Sequence, residues 1–205
     1  MAQPLVVRAA RSGDLDALVE IQHSQPAPEI VGLAGTVPRA RRLGRALMVL
    51  EGVLNPDRPI VVIDGERGPV AFLQYSIGPA ESGGSRARLA VGAVAALGVG
   101  VLGLPRRLWA RRAVELIAPE DSFYIAELHV HPNHRGKGLG GQLLDWSASE
   151  CVSLGLPRRS LITGIGNPAI RLYERHGFAV VTTATDETYE QIFGRAGRLL
   201  MTAPA

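Results

Sequence analysis

Seven consecutive residues, Arg135, Gly136, Lys137, Gly138, Leu139, Gly140 and Gly141, combine two cations with four glycines. The apolar stretch 124–130 leads towards them through Pro132, and an amphipathic run follows, so the order reads strand, loop, helix. Glycine reaches positive φ and lets backbone N–H groups come close to a ligand. The start of a helix adds unpaired donors and the positive end of its dipole. Such an arrangement binds a pyrophosphate, and Arg135 and Lys137 bring formal charge to it. Two common phosphate patterns fit poorly. A dinucleotide fingerprint places its first glycine directly after the strand and an acid about 20 residues on. Here residues 131–135 intervene and 156–164 hold no acid. A Walker loop needs Ser or Thr after its lysine, and Lys137 is followed by Gly138.

The stretch from Arg135 to Gly140 fits [QR]-x-x-G-x-[GA], and Leu128, Val130 and Pro132 supply an L-x-V-x-P lead-in. A second pattern begins 27 residues after Gly140: Asn167, Ala169, Leu172, Tyr173, Glu174, Gly177 and Phe178. Together these resemble the GNAT superfamily of acetyl-CoA-dependent N-acetyltransferases, with its N…A…LYE…GF helix and strand. The resemblance implies acetyl-CoA as co-substrate, no metal, and direct attack of a primary amine on the thioester through a tetrahedral intermediate. It assigns the pantetheine arm and thioester carbonyl to backbone N–H groups of Leu128, His129 and Val130, a role indifferent to side chain. It assigns the pyrophosphate to Arg135 and residues 136–141. Tyr173 takes the place of the general acid for the leaving thiolate, a phenol of ordinary pKa ~10 being protonated at neutral pH; it could equally pack on the cofactor arm without transferring a proton. Asn167 resembles the residue that bonds that arm, though it precedes Tyr173 by six positions, not the usual seven, and Gly166 could hold that place.

The general base is ambiguous. Counted from the L-x-V-x-P anchor, the family's base positions fall on Tyr124 and Ala126, and neither side chain suits. Glu127 is the nearest carboxylate and is taken as base or substrate anchor. Strand alternation puts it and His129 on the opposite face unless a bulge intervenes; otherwise water removes the proton. Two other readings stay open: a non-catalytic acetyl-CoA-binding module, and an acyltransferase for longer acyl-CoA.

The elements must hold these residues in place, and the resemblance implies an α/β fold, an α+β sandwich. It has a mixed central sheet of six to seven strands, about four flanking helices, and an extra helical insertion between the third and fourth strands. At 205 residues and 46% hydrophobic content the chain suits one domain, 1–205. Strands are predicted at 4–9, 59–64, 69–77, 124–130, 159–163, 178–183 and 198–201, with a hairpin turn at 65–68. Helices are predicted from Ser12 to about Ser24, from Pro38 with Leu43, Leu47, Leu50 and Leu54 inward, over 138–154, and over 168–175. Residues 25–37 and 184–196 read as loops, which with 80–118 lie on the acceptor side of the resemblance.

The insertion, 80–118, contains a run without charge at 89–105, flanked by Arg86, Arg88, Arg106, Arg107, Arg111 and Arg112. The run is shorter than the ~20 apolar residues of a transmembrane helix. The basic flanks suit anionic lipid, but a helical hairpin broken at Pro105 is preferred, covering the acceptor channel or pairing two copies in a homodimer. Its second helix, 106–117, would set Leu108, Arg112 and Glu115 on one side and Trp109, Ala113 and Leu116 on another. Net charge is +3 with aromatics at only 5% and no interleaved basic patch, which argues against nucleic acid. The pI near 9.5 suits an anionic cofactor. The lone Cys151 excludes an internal disulfide and reads as packing. Cys/His zinc spacing is absent, and no signal-peptide apolar region opens the chain, so the expected setting is cytoplasmic. The acceptor is expected to be a small-molecule amine or a peptide or protein amine.

Overall fold

Alternating apolar strands and two faces of amphipathic helix account for most of the architecture. The computed structural model describes residues 6–24, 28–51, 53, 55–78 and 104–205. Seven strands form one sheet in the order β1-β2-β3-β4-β5-β7-β6: β1 (Val7–Ala9), β2 (Ile60–Gly65), β3 (Gly68–Ile77), β4 (Ser122–Val130), β5 (Arg158–Gly164), β6 (Ala179–Thr185) and β7 (Gly197–Pro204). All neighbours are antiparallel except β4 and β5. The described helices are α1 (Leu15–His23), α2 (Pro28–Ala34), α3 (Val37–Glu51), α4 (Leu104–Ala113), α5 (Leu139–Ser153), α6 (Ile170–Arg175) and α7 (Glu187–Phe193).

Period-two alternation splits the core. Val61, Ile63, Ala71 and Leu73 face one side, where they meet Leu139, Leu143 and Leu144 of α5 and Tyr173 of α6. Ile60, Val62 and Phe72 face the other, against Leu18, Val19 and Ile21 of α1 and Met48 of α3. A third cluster joins Leu33 of α2, Ala110 of α4, Val114, and Tyr189 and Phe193 of α7.

The sheet and its parallel β4–β5 pair match the expected mixed α/β fold, but seven described helices replace about four. Residues 25–37 were expected to be a loop; from Pro28 they form α2. Proline is preorganised for the first helical turn, and the helix ends where Gly35 takes φ 81°. Residues 184–196 likewise contain α7. Asp186 caps it by accepting from the Tyr189 N–H at 2.7 Å, and Tyr189 stacks on Phe193 one turn on. Ser12 caps nothing; residues Ser12–Asp14 form a 3-10 turn ahead of α1. Within the insertion, residues 80–103 lie outside the described residues. Its described helix runs Leu104–Ala113 and not 106–117, with Pro105 in its first turn. The inward line is Ala110 with Val114, while of the predicted side Trp109 is 61% exposed and only Leu116, past the helix end, is buried. Leu43 of α3 is buried as expected, along with Ala40 and Met48; Leu54 lies outside the described residues, and nothing is described of the side chains of Leu47 and Leu50.

Candidate active site

β4 supplies the site because it leaves its neighbour halfway along. It pairs with β5 only from Ser122↔Arg158 to Ile125↔Leu161. Beyond that point β5 continues against β7 alone, so residues 126–130 border an opening. The His131 N–H donates to Val70 O at 2.8 Å. In an antiparallel ladder every second residue bonds its partner, so the N–H groups of Glu127 and His129 lie on the β3 side. Those of Leu128 and Val130 therefore turn towards the opening.

The register with β3 passes from Gln74↔Glu127 to Tyr75↔Ile125, leaving Ala126 without an opposite residue. This is a β-bulge, and it reverses the alternation. Phe123 and Ile125 on one side of it, and Leu128 and Val130 on the other, all join the cluster that holds Tyr173. Glu127 and His129 accordingly share the face of Tyr124. Glu127 Oε2 and His129 Nε2 lie 2.7 Å apart, with side chains 37% and 23% exposed. The His129 ring stacks on Phe72 at 5.1 Å.

The loop after β4 has the geometry of an anion cradle. Gly136 and Gly138 adopt φ 73° and 80°, values that side-chain-bearing residues avoid. The first bond of α5 runs from Gln142 N–H to Gly138 O at 3.0 Å. Among the described residues no backbone bond occupies the N–H groups of residues 136–141. Lys137 is exposed and Leu139 buried. Arg135 Nε donates to Val130 O at 3.2 Å, tying the loop to the strand end. Gly140 packs closely against α6: a Cβ there would stand 3.0 Å from Leu172 Cδ2, which would have to give way.

Tyr173 lies under the opening, 8% exposed. Burial first, and then the charge of Glu127, push its pKa up to about 12. Asn167 is engaged within its own turn, donating to Thr163 Oγ1 at 2.7 Å and accepting from the Ala169 N–H at 3.0 Å. His131 and His134 flank the loop, their rings in edge contact. Cys151 is buried, and burial raises its pKa. Among the described residues no group of three His, Cys, Asp or Glu side chains could hold a metal.

One neighbour of the site had no signal in the sequence. His23, at the end of α1, is 5% exposed, its ring set against the backbone of Gly44 in α3. A Cβ at Gly44 would fall 1.8 Å from His23 Cε1. Burial above all lowers its pKa, and the charges of His129 and Glu127 both reach it.

A cleft of about 760 Å³ opens between α2, α4 and α7, lined by Val31, Gly32, Arg106, Arg107, Ile192 and Phe193 among others. It shares no residue with the loop or β4. It does draw on all three segments expected on the acceptor side, and among the described residues no acidic one lines it.

A profile described as the acetyltransferase (GNAT) family matches residues 51–178, more than half of the chain. The chain belongs to the GNAT acetyltransferase family. GNAT acetyltransferases use acetyl-CoA as co-substrate, and the cradle at 136–141 with the free strand edge of β4 fits a long anionic cofactor. No curated protein matches the chain closely enough to count as a relative. Among solved structures it is similar to the PaiA N-acetyltransferase from Thermoplasma acidophilum in complex with coenzyme A, at 14% identity and a TM-score of 0.61, covering 99% of this chain and 100% of that one. It is similar to the ribosomal-protein-S18-alanine N-acetyltransferase from Escherichia coli at 16% identity and TM-score 0.57, covering 98% and 94%. A ribosomal-protein-alanine N-acetyltransferase from Brucella melitensis gives 20% identity and TM-score 0.57, covering 98% and 100%. At these identities the likeness is one of fold. None of the described helices is long and apolar enough to cross a membrane.

Proposed function

We propose that this GNAT protein transfers the acetyl group of acetyl-CoA to a primary amine by direct attack. The observation that carries the reading is the separation of β4 from β5 after Ile125, with Tyr173 below the opening and Glu127 at its edge. The Leu128 and Val130 N–H groups would hold the pantetheine arm and polarise the thioester carbonyl, where negative charge develops in the transition state. Residues 136–141 with Arg135 would hold the pyrophosphate. Glu127 would accept a proton from the amine, and Tyr173 would donate one to the departing thiolate. A phenol with a pKa near 12 is fully protonated at working pH, so the acid is always loaded.

The acceptor would be a small-molecule amine or a peptide or protein amine; among the described residues Arg106 and Arg107 line the cleft between α2, α4 and α7, where a polycation would meet like charge.

Isothermal titration with acetyl-CoA tests the cofactor half without requiring the acceptor. In a Gly138→Glu variant the backbone is strained at φ 80° and a carboxylate enters the anion cradle, so binding should disappear. Wild-type binding lost in the variant, followed by thiol release with a panel of amines, is the expected result. Binding with no turnover on any amine would leave an acetyl-CoA-binding module. No binding by folded wild-type protein would sink the reading.

A further inference from the structure

We propose that His129 is the exit for the proton that leaves the acceptor amine, a positioning residue that works through Glu127. The inference rests on the acetyltransferase reading above. An amine that arrives as R–NH3+ must lose two protons to become the amide R–NH–CO–CH3. The C–N bond forms, the C–S bond breaks, and its electron pair goes to sulfur. One proton ends on that sulfur through Tyr173; the other must reach solvent. Glu127 is placed for the second route. Its charge reaches Tyr173 on one side, and its Oε2 lies 2.7 Å from His129 Nε2 on the other. A carboxylate that kept the second proton would be unable to serve the next turnover. Transfer from Glu127 Oε2–H to Nε2 of a neutral His129 restores the carboxylate and gives an imidazolium, which releases a proton from Nδ1 to water; proton exchange with solvent, one gained at Nδ1 and one lost from Nε2, then resets the tautomer for the next turnover. Imidazole is suited to this step because one ring nitrogen can accept a proton while the other gives one up.

The geometry supports a dedicated arrangement. Glu127 and His129 share a face by strand alternation, the bulge at Ala126 brings that face into line with Tyr124, and the His129 ring stacks on Phe72. The His129 side chain is 23% exposed, so the relay ends in contact with solvent. The ionisable groups around the pair are His23 on α1, Arg41 on α3, Tyr173 on α6, and His131 beyond the end of β4, which stands 3.9 Å from Glu20 of α1. A charged His23 would oppose an imidazolium at His129. Burial favours the neutral form of His23, so that opposition is removed.

The test uses His129→Gln and His129→Ala with acetyl-CoA affinity, kcat and KM, pH profile and imidazole addition read separately. Both variants should bind acetyl-CoA within about threefold of wild type, because the side chain is no part of the cofactor cradle. Each should lose about 10²-fold in kcat, the lower end of proton-transfer contributions. Added imidazole should restore the Ala variant by at least about tenfold, a response that a packing role would not give. Glu127→Gln should lose at least as much and be unmoved by imidazole. Wild-type kcat in both His129 variants, or a loss that imidazole does not reverse, would overturn the relay and leave the acetyltransferase intact. Wild-type protein that binds acetyl-CoA but releases no thiol with any amine would overturn both.

Discussion

The residue on which the chemistry turns is Glu127, and its placement depends on one unpaired neighbour. Strand alternation read from Leu128 and Val130 through a regular β4 separates Glu127 from Tyr124. The bulge at Ala126 brings them to one face. The sequence announced the L-x-V-x-P strand and the carboxylate but not the bulge, because an alanine carries no signal for an extra residue in a ladder. The His23–Gly44 contact was equally illegible: it joins residues 21 positions apart through the absence of a side chain. Gly44→Ala should therefore displace the His23 ring, since no Cβ survives 1.8 Å from a carbon. The expected cost is about 1–3 kcal/mol, the range for overpacking, visible as a lowered midpoint in urea. An unchanged midpoint would mean that the ring moves away freely. Tyr173 gives a sharper test. With its pKa raised to about 12 by burial and Glu127, it stays protonated across the working range, so any alkaline decline of kcat below about pH 10 belongs to another group. Tyr173→Phe should lower kcat about 10²-fold and leave acetyl-CoA affinity nearly unchanged; equal kcat would reduce Tyr173 to packing.

At the scale of elements, the strands and the helix behind the loop were legible because their apolar periods are long and their punctuation is strong. The two missed helices, α2 and α7, are seven residues each, too short for a periodic pattern to stand out. Pro28 and Gly35, which read as breakers, sit at the two ends of α2, and Gly194 follows α7, where such residues belong. The opposite edge of the sheet is held by charge more than by area. β1 is three residues long, and Arg8 within it donates to Asp14 of the 3-10 turn at 2.8 Å and to Asp64 of β2 at 2.6 Å. The Asp14 side chain is only 10% exposed. The Arg8 bond, more than any other influence, holds its carboxyl below the usual 3.8, with the Arg11 N–H helping. A carboxylate depressed in the folded state stabilises the fold above its unfolded pKa, and that contribution drains away as pH falls through the folded value. Asp14→Asn should thus cost about 1–3 kcal/mol near neutral pH, the range for removing a hydrogen-bonded charge partner. The gap from wild type should narrow as pH drops below 3.8. Denaturant midpoints measured along that pH series decide it, and a gap constant down to the lowest pH would assign the effect to something other than the charge.

Across the whole molecule, the same division that opens the cofactor site leaves the two halves of the sheet joined by one short parallel ladder, Ser122–Ile125 against Arg158–Leu161. Something else must hold the second half closed beneath the opening, and a buried arginine does so. Arg159, opposite Phe123 in that ladder, is 6% exposed and donates to Pro204 O on β7, Leu144 O on α5 and His176 O after α6. Its guanidinium also lies 5.1 Å from the centre of the Phe178 ring. Burial lowers its pKa, and among the described residues no carboxylate is bonded to it, the charge of Asp145 acting only through space. Carbonyl dipoles from three elements thus take the place of a counter-ion. The sequence offered Arg159 only as the first residue of a strand, since nothing local shows that a charge will point inward. Arg159→Met keeps most of the stem and removes every donor, leaving those carbonyls to be satisfied in an interior with no other partners. The expected loss is about 3–5 kcal/mol of global stability, as for breaking a buried charge arrangement. Acetyl-CoA affinity should be kept in the fraction that remains folded, because the cradle at 136–141 lies on the other end of β4. Equilibrium unfolding followed by fluorescence and by cofactor binding should then give coincident transitions. A variant of wild-type stability would show that the junction is held by the apolar contacts of Phe123, Leu161 and Met201 alone.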